Sequence, residues 1–131
     1  MHLSAAHLAA RVAAARVAAL DASLSLLRTG NGRARIELLD GADLILATGY
    51  LQDGAGTTDH TLVQIMLSTP FEAAIGQAGT PVSARIFTAP GDLWADGITV
   101  SDTAGAGALK LETTDLQRGH FVRVLSAVIQ G

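Results

Sequence analysis

The 131-residue chain has no cysteine. Disulfides and thiolate metal sites are therefore excluded, and nothing marks an oxidising or a reducing compartment. Aromatic residues make up only 4 %. A core must then be built from Val, Ile and Leu, and the aromatic platforms that grip single-stranded nucleic acid are scarce. Charged residues are 16 % against 49 % hydrophobic, too few for a disordered polyelectrolyte. No apolar run reaches the roughly 18 residues needed to span a bilayer, so no membrane helix is expected.

What charge there is divides unevenly. Up to Arg35 the chain carries Arg11, Arg16, Arg28, Arg33 and Arg35 against Asp21 alone, net +4, while the remainder is net −7. A basic arm on an acidic body suits contact with something acidic and disfavours nucleic acid as a partner of the body, where Tyr50, Phe71, Phe87, Trp94 and Phe121 lie among carboxylates. The opening "MHLSAAHLAARVAAARVAAL" superficially suits a transit peptide, but arginines interrupt the apolar stretch that a secretory signal requires. It is read as part of the working protein.

Residues 4 to 28 are rich in alanine and leucine, with no glycine or proline, and predict a helix. Val17, Leu20, Leu24 and Leu27 follow steps of three and four and share one face. Ser4 is placed to cap the start, and "TGNG" at 29–32 to end it. Before Val17 the stripe thins to alanine, so the first turns pack lightly and order against a partner.

After Gly32 the period changes to two. "ARIELLD", "LILATGYL", "HTLVQIMLS", "VSARIFTA", "ITVSD", "ALKLET" and "HFVRVLSAVIQ" predict strands, with "FEAAIGQAGTP" a short strand or loop. "DGAD" at 40–43 and "PGD" at 90–92 mark turns, and "LQDGAGTTD" reads as a polar loop of about nine residues. "HTLVQIMLS" reads as apolar on both faces. The expected fold is mainly β: an antiparallel β-sandwich or jelly roll of about seven or eight strands preceded by one helix. The expected division is a helical arm over 1–32 and a β-sandwich domain over 33–131.

Several reactive constellations are tested and rejected. "TAGAGALK", at 103–110, lacks the Gly-Lys-Ser/Thr of a phosphate loop, and an alternating strand follows where a helix is required. Lys110 is read as a solvent-facing strand residue. Asp53, Asp59 and His60 in "QDGAGTTDH" do not have the spacing of a calcium loop, and Asp59 is read as a turn-stabilising residue. His2, His7, His60 and His120 are scattered, and there is no Gly-x-Ser-x-Gly elbow. No catalytic residue, cofactor or metal ligand is expected, and the protein is not read as an enzyme. Partner contact is expected of Arg11, Arg16, Arg28 and Trp94, the last in "PGDLWADG".

From Ile36 onward the order of signals resembles a group of small β-sandwich structural proteins of tailed bacteriophages. It is carried by the Ala/Leu-rich opening helix, "IELLDG", "LVQIMLSTPFEAA", "GTPVSARIFTAPGDLWADGITVSD", "ALKLETTDLQRG" and the closing apolar strand, about three quarters of the chain. The chain departs from that pattern in its long "QDGAGTTDH", which is read as a variable contact surface. The resemblance implies a virion component on the outer surface of the capsid. Its expected role is decoration or cement, with the major capsid protein and further copies of itself (dimer or trimer) as partners. A tail or head–tail junction protein is the structural alternative. A carbohydrate-binding jelly roll is disfavoured by the low aromatic content, and a cupin-type enzyme by the lack of clustered histidines.

Overall fold

The computed structural model describes residues 4–28 and 32–130. Helix α1 runs Ala5–Leu27 and is capped as the sequence implies, the Ser4 hydroxyl accepting from the His7 amide at 3.1 Å. The expected stop at "TGNG" lies, apart from Gly32, outside the described residues, as does His2. Among the described residues nine strands follow: β1 Arg35–Leu39, β2 Ile45–Tyr50, β3 Gly56–Asp59, β4 Gln64–Leu67, β5 Phe71–Ile75, β6 Ser83–Phe87, β7 Leu93–Asp102, β8 Leu109–Leu111 and β9 Phe121–Gln130.

The expected sandwich or jelly roll is not what forms. Seven strands close into a barrel in the order β9-β5-β2-β1-β6-β7-β8, because β8 pairs with β7 on one side and with β9 on the other. A sandwich would leave edges there. An antiparallel ring must contain an even number of strands, so a seven-membered ring needs at least one parallel pair. That pair is β7–β8, with Val100 opposite Leu109 and Asp102 opposite Leu111; the other six pairings of the ring are antiparallel. Strands β3 and β4 form a ribbon continuing from the last residues of β9, where Ile65 pairs with Ile129.

Strand β9 therefore has three partners beyond its own hairpin logic: β5 early, β8 in the middle and β4 late. It manages this with a bulge. Leu111 sits opposite Val124 and Lys110 opposite Ser126, leaving Leu125 as the extra residue. Inward-facing residues change phase accordingly, from Val122 and Val124 to Ala127.

Ile36, Leu38, Leu46, Ile86, Leu109 and Val124 fill the barrel at 0–1 % exposure, so the interior is packed side chain rather than a ligand channel. Strand β4 alternates, contrary to the reading of two apolar faces: Ile65 and Leu67 are buried while Met66 faces out. Half of the expected polar loop is ordered as β3. Leu20, Leu24 and Leu27 of α1 belong to the same core cluster as the barrel residues, so the second half of the helix and the strands share one core.

Val124 is wholly buried at the point where β9 passes from β5 to β8. Val124→Asp puts an unpaired carboxylate there, and a loss of at least about 4 kcal/mol is expected. Urea unfolding checks it: a variant with a near-native midpoint would mean that the closure does not depend on this contact.

Candidate functional site: the helical arm and its mounting

The first turns of α1 stand clear of the barrel. From Ala5 to Arg16 every described side chain is exposed, whereas Val17, Leu20, Leu24 and Leu27 turn towards the core. At 1.5 Å per residue the bare part is a rod of about 18 Å. Leu8 is 48 % and Val12 61 % exposed, both apolar and both on this rod. Of the arginines expected to meet a partner, Arg11 and Arg16 lie here on the exposed surface.

The other two residues expected at an interface act inside the chain. Trp94 is half-buried on β7, packs against the core, and its indole N–H donates to the Ser23 carbonyl at 2.8 Å. The guanidinium of Arg28 donates from Nε to the Gly54 carbonyl at 2.7 Å and from Nη2 to the Gly56 carbonyl at 2.6 Å. Together they fasten the end of the helix to β7 on one side and to the β3 region on the other. The loop read as a variable contact surface is thus partly committed to holding the helix.

A third fastening was not foreseen. Asp21, the lone acid of the helix, meets His60 and Thr58 of the ribbon. His60 Nε2 lies 3.0 Å from Asp21 Oδ1 and 3.1 Å from Thr58 Oγ1, and Thr58 Oγ1 donates to Asp21 Oδ1 at 2.8 Å. Acid, imidazole and hydroxyl suggest a hydrolytic triad, but the geometry opposes it. A triad places the carboxylate on one ring nitrogen and the nucleophile on the other; here both partners share Nε2. The side chains of His60 and Asp21 are 56 % and 48 % exposed, so water competes throughout. The arrangement is a clamp. The sequence signal was the pairing of a single acid in an otherwise basic helix with a single histidine after the loop.

The remaining sequence candidates resolve into structural roles. Asp59 accepts from the amides of Thr61 and Leu62 at 3.0 and 3.1 Å, which is the turn role read from the sequence. Among the described residues no three His, Asp or Glu side chains are grouped as metal ligands. In "TAGAGALK" the amides a phosphate would need are already taken: Ala104 and Gly105 donate to Asp102 Oδ1, Gly107 to Ser101 Oγ and Ala108 to Thr99 Oγ1. The two glycines are there for close approach. A Cβ on Gly105 would lie 2.6 Å from Ser101 Cβ, and one on Gly107 2.6 Å from the Ser101 nitrogen. The loop lies flat on β7 and delivers β8 beside it.

On the barrel wall, Glu37 is 8 % exposed and is shared by two arginines, Arg85 Nε at 2.6 Å and Arg35 Nε at 3.6 Å. Both guanidinium groups lie over the Phe87 ring, at 4.5 and 5.6 Å from its centroid. Alternation put Glu37 in a strand but gave no sign that it would be covered.

Comparison of the chain with protein-family models, with curated proteins and with solved structures finds no match. What the protein does must be argued from its surfaces.

Two measurements test the mounting. Trp94→Phe loses the indole hydrogen bond together with part of the ring's packing on the core, so a destabilisation of about 1–3 kcal/mol is expected in urea unfolding; no change would remove this fastening from the account. The hydrogen bonds of His60 and then Thr58 hold the Asp21 carboxyl below its ordinary value. A depressed carboxyl stabilises the fold at pH values above its unfolded titration, near 4, and that stabilisation is lost as pH falls through the lower folded value. The urea midpoint of Asp21→Asn should lie below that of the parent at neutral pH and converge with it under strong acid. A gap independent of pH would show that ionisation of Asp21 is irrelevant to the clamp.

Proposed function

We propose that the protein is a non-enzymatic structural component of a tailed-bacteriophage particle, a decoration or cement protein on the outer surface of the head, seated between subunits of the major capsid protein. The observation that carries this reading is the arm. A side-chain-filled barrel holds out a rod that carries Leu8, Val12, Arg11 and Arg16 at its surface. Exposing large apolar side chains has a use where a second surface covers them.

The order of sequence signals from Ile36 onward, which resembles that of small virion β-proteins, supports this reading. The barrel differs from the sandwich of the proteins it resembles, so the proposal rests on the order of signals and on the arm, not on architecture. Arg11 and Arg16 suit carboxylates on a shell, but single exposed ion pairs are worth little, so apolar contact by Leu8 and Val12 has to supply most of the affinity.

An antibody to the purified protein should label the heads of intact particles, with copies in proportion to capsid subunits by particle mass. Labelling confined to the tail or neck transfers the protein to that part of the virion, and absence from particles ends the reading. Deleting residues 1–16 should leave a folded barrel, since the buried stripe begins beyond them, and should abolish attachment to emptied heads. Attachment at unchanged stoichiometry would show that the arm is not the anchor.

A further inference from the structure

Asp40, Asp53 and Asp96 are each followed by glycine, whereas every other aspartate precedes a residue with a side chain. The distinction is chemical. The amide nitrogen next in the chain can attack an aspartyl side-chain carbon and close a five-membered succinimide ring. Glycine alone leaves that nitrogen unshielded by a Cβ and its backbone free to follow. The ring closes only where the carboxyl can swing and the main chain can bend towards it. The fold therefore decides which of the Asp-Gly pairs reacts.

Two of them are restrained. Asp40 sits in the β1–β2 turn, where its Oδ1 accepts from the amides of Ala42 and Leu44, both at 2.9 Å, so the carboxyl is anchored. Asp96 and Gly97 form a bulge within β7. Ala95 before them pairs with Ile86 and Ile98 after them with Ala84, which ties both ends of the segment to the ladder. Asp53 and Gly54 have neither restraint. Both are exposed in the turn that precedes β3. Among the described residues no hydrogen bond or ion pair engages the Asp53 carboxylate, and the Gly54 amide donates to no acceptor. An open cleft of about 320 Å³ lies against Asp53, with Arg28, Arg33 and Gln52 on its walls, and leaves the side chain room to turn.

We propose that Asp53–Gly54 is a site of spontaneous isoaspartate formation, and that the rearrangement unfastens Arg28 and loosens the end of α1. The Gly54 nitrogen bonds to Asp53 Cγ, and its proton leaves with the carboxyl hydroxyl as water. Water then returns at one of the two ring carbonyls. Opening at the side-chain carbonyl restores aspartate. Opening at the main-chain carbonyl leaves the backbone running through Cβ and Cγ, with the former main-chain carbonyl as a side-chain carboxylate. The water lost is regained, so the product is an isomer of the same mass. Its main chain is longer by one carbon, about 1.5 Å. That insertion falls where there is no slack. The Gly54 carbonyl accepts from Arg28 Nε and from the Gly56 amide, both at 2.7 Å, and the Gly56 carbonyl accepts from Arg28 Nη2 at 2.6 Å. A shift of that size at Gly54 takes these contacts out of hydrogen-bonding range. Arg28 is the C-cap of α1, so the mounting of the arm weakens with the age of the molecule. This inference goes beyond the virion reading and does not rest on it.

The full chain, aged for weeks in neutral buffer at body temperature, should gather isoaspartate at Asp53 and little at Asp40 or Asp96. Peptide mapping with electron-transfer fragmentation assigns the site, and methyl transfer by an isoaspartyl methyltransferase counts the total. Deamidation at Asn31–Gly32 adds mass and is scored apart. Asp53→Glu would need a six-membered ring, so this chain should stay unmodified at that position and, the site being exposed, fold like the parent. Urea unfolding followed by the single tryptophan, Trp94, reads the consequence. The modified protein should unfold in less urea than fresh protein, by the amount that Arg28→Gln alone produces. Aged Asp53→Glu should not shift, and ageing should cost the Arg28→Gln chain nothing further. Isoaspartate that is absent from Asp53, spread evenly over the three pairs, or concentrated at Asp40 or Asp96 would overturn the site. Isoaspartate at Asp53 with an unmoved midpoint, or an equal further loss in aged Arg28→Gln, would overturn its link to the arm.

Discussion

The three-residue strand β8 is the constraint on which the rest of the structure depends. Without it, β7 and β9 are two edges facing each other across a gap. With it, the sheet has no seam there, and the odd number of strands is accommodated by one parallel pair. Parallel neighbours usually need a crossover of a dozen residues or more. Here six residues, 103–108, suffice, because β8 is so short that the chain need only step back about the length of three residues. That step is possible because two glycines let the loop lie on β7, with its amides satisfied by Thr99, Ser101 and Asp102. The stretch whose composition hints at a phosphate cradle is a closure device.

The helix depends on that closure in turn. Its inner stripe, Leu20, Leu24 and Leu27, joins the common core, and three polar fastenings orient it: Trp94 from β7, Arg28 to the carbonyls of Gly54 and Gly56, and Asp21 to His60 and Thr58. Each is modest singly. Together they fix the azimuth of the helix, so that its exposed face is presented in one direction.

Much of this was legible from residue order, and what was not has identifiable causes. The helix, its Ser4 cap and its inner face follow from propensity and spacing, and so do most strands. Closure was not legible, because pairing between β8 and β9 is set by two side-to-side choices that leave no trace in the period of either strand; a sandwich and a barrel share the same alternation. β3 was missed since glycine and threonine in "GAGTTD" look like loop when the ribbon partner is unknown. Trp94, which residue type leaves as an interface anchor or a cap of the core, and Arg28, read as a partner contact, each bond a backbone carbonyl, at Ser23 for the indole and at Gly54 and Gly56 for the guanidinium, which only the folded chain brings within reach. Asp21 entered the sequence reading only as a charge, because its partner His60 is 39 residues away.

The position of β9 has a consequence for how the chain reaches its native state. This strand is the common neighbour of β4, β5 and β8, so on a ribosome those three remain unpaired on at least one side until residues 121–130 have emerged. Cooperative closure must then wait for the last strand of the ring, and with so many pairings distant in sequence it belongs among the slower small domains. During that interval the open strands are liable to pair with those of neighbouring nascent chains, and crowding of many copies in an overexpressing cell would make the yield of soluble protein sensitive to temperature and to chaperone supply.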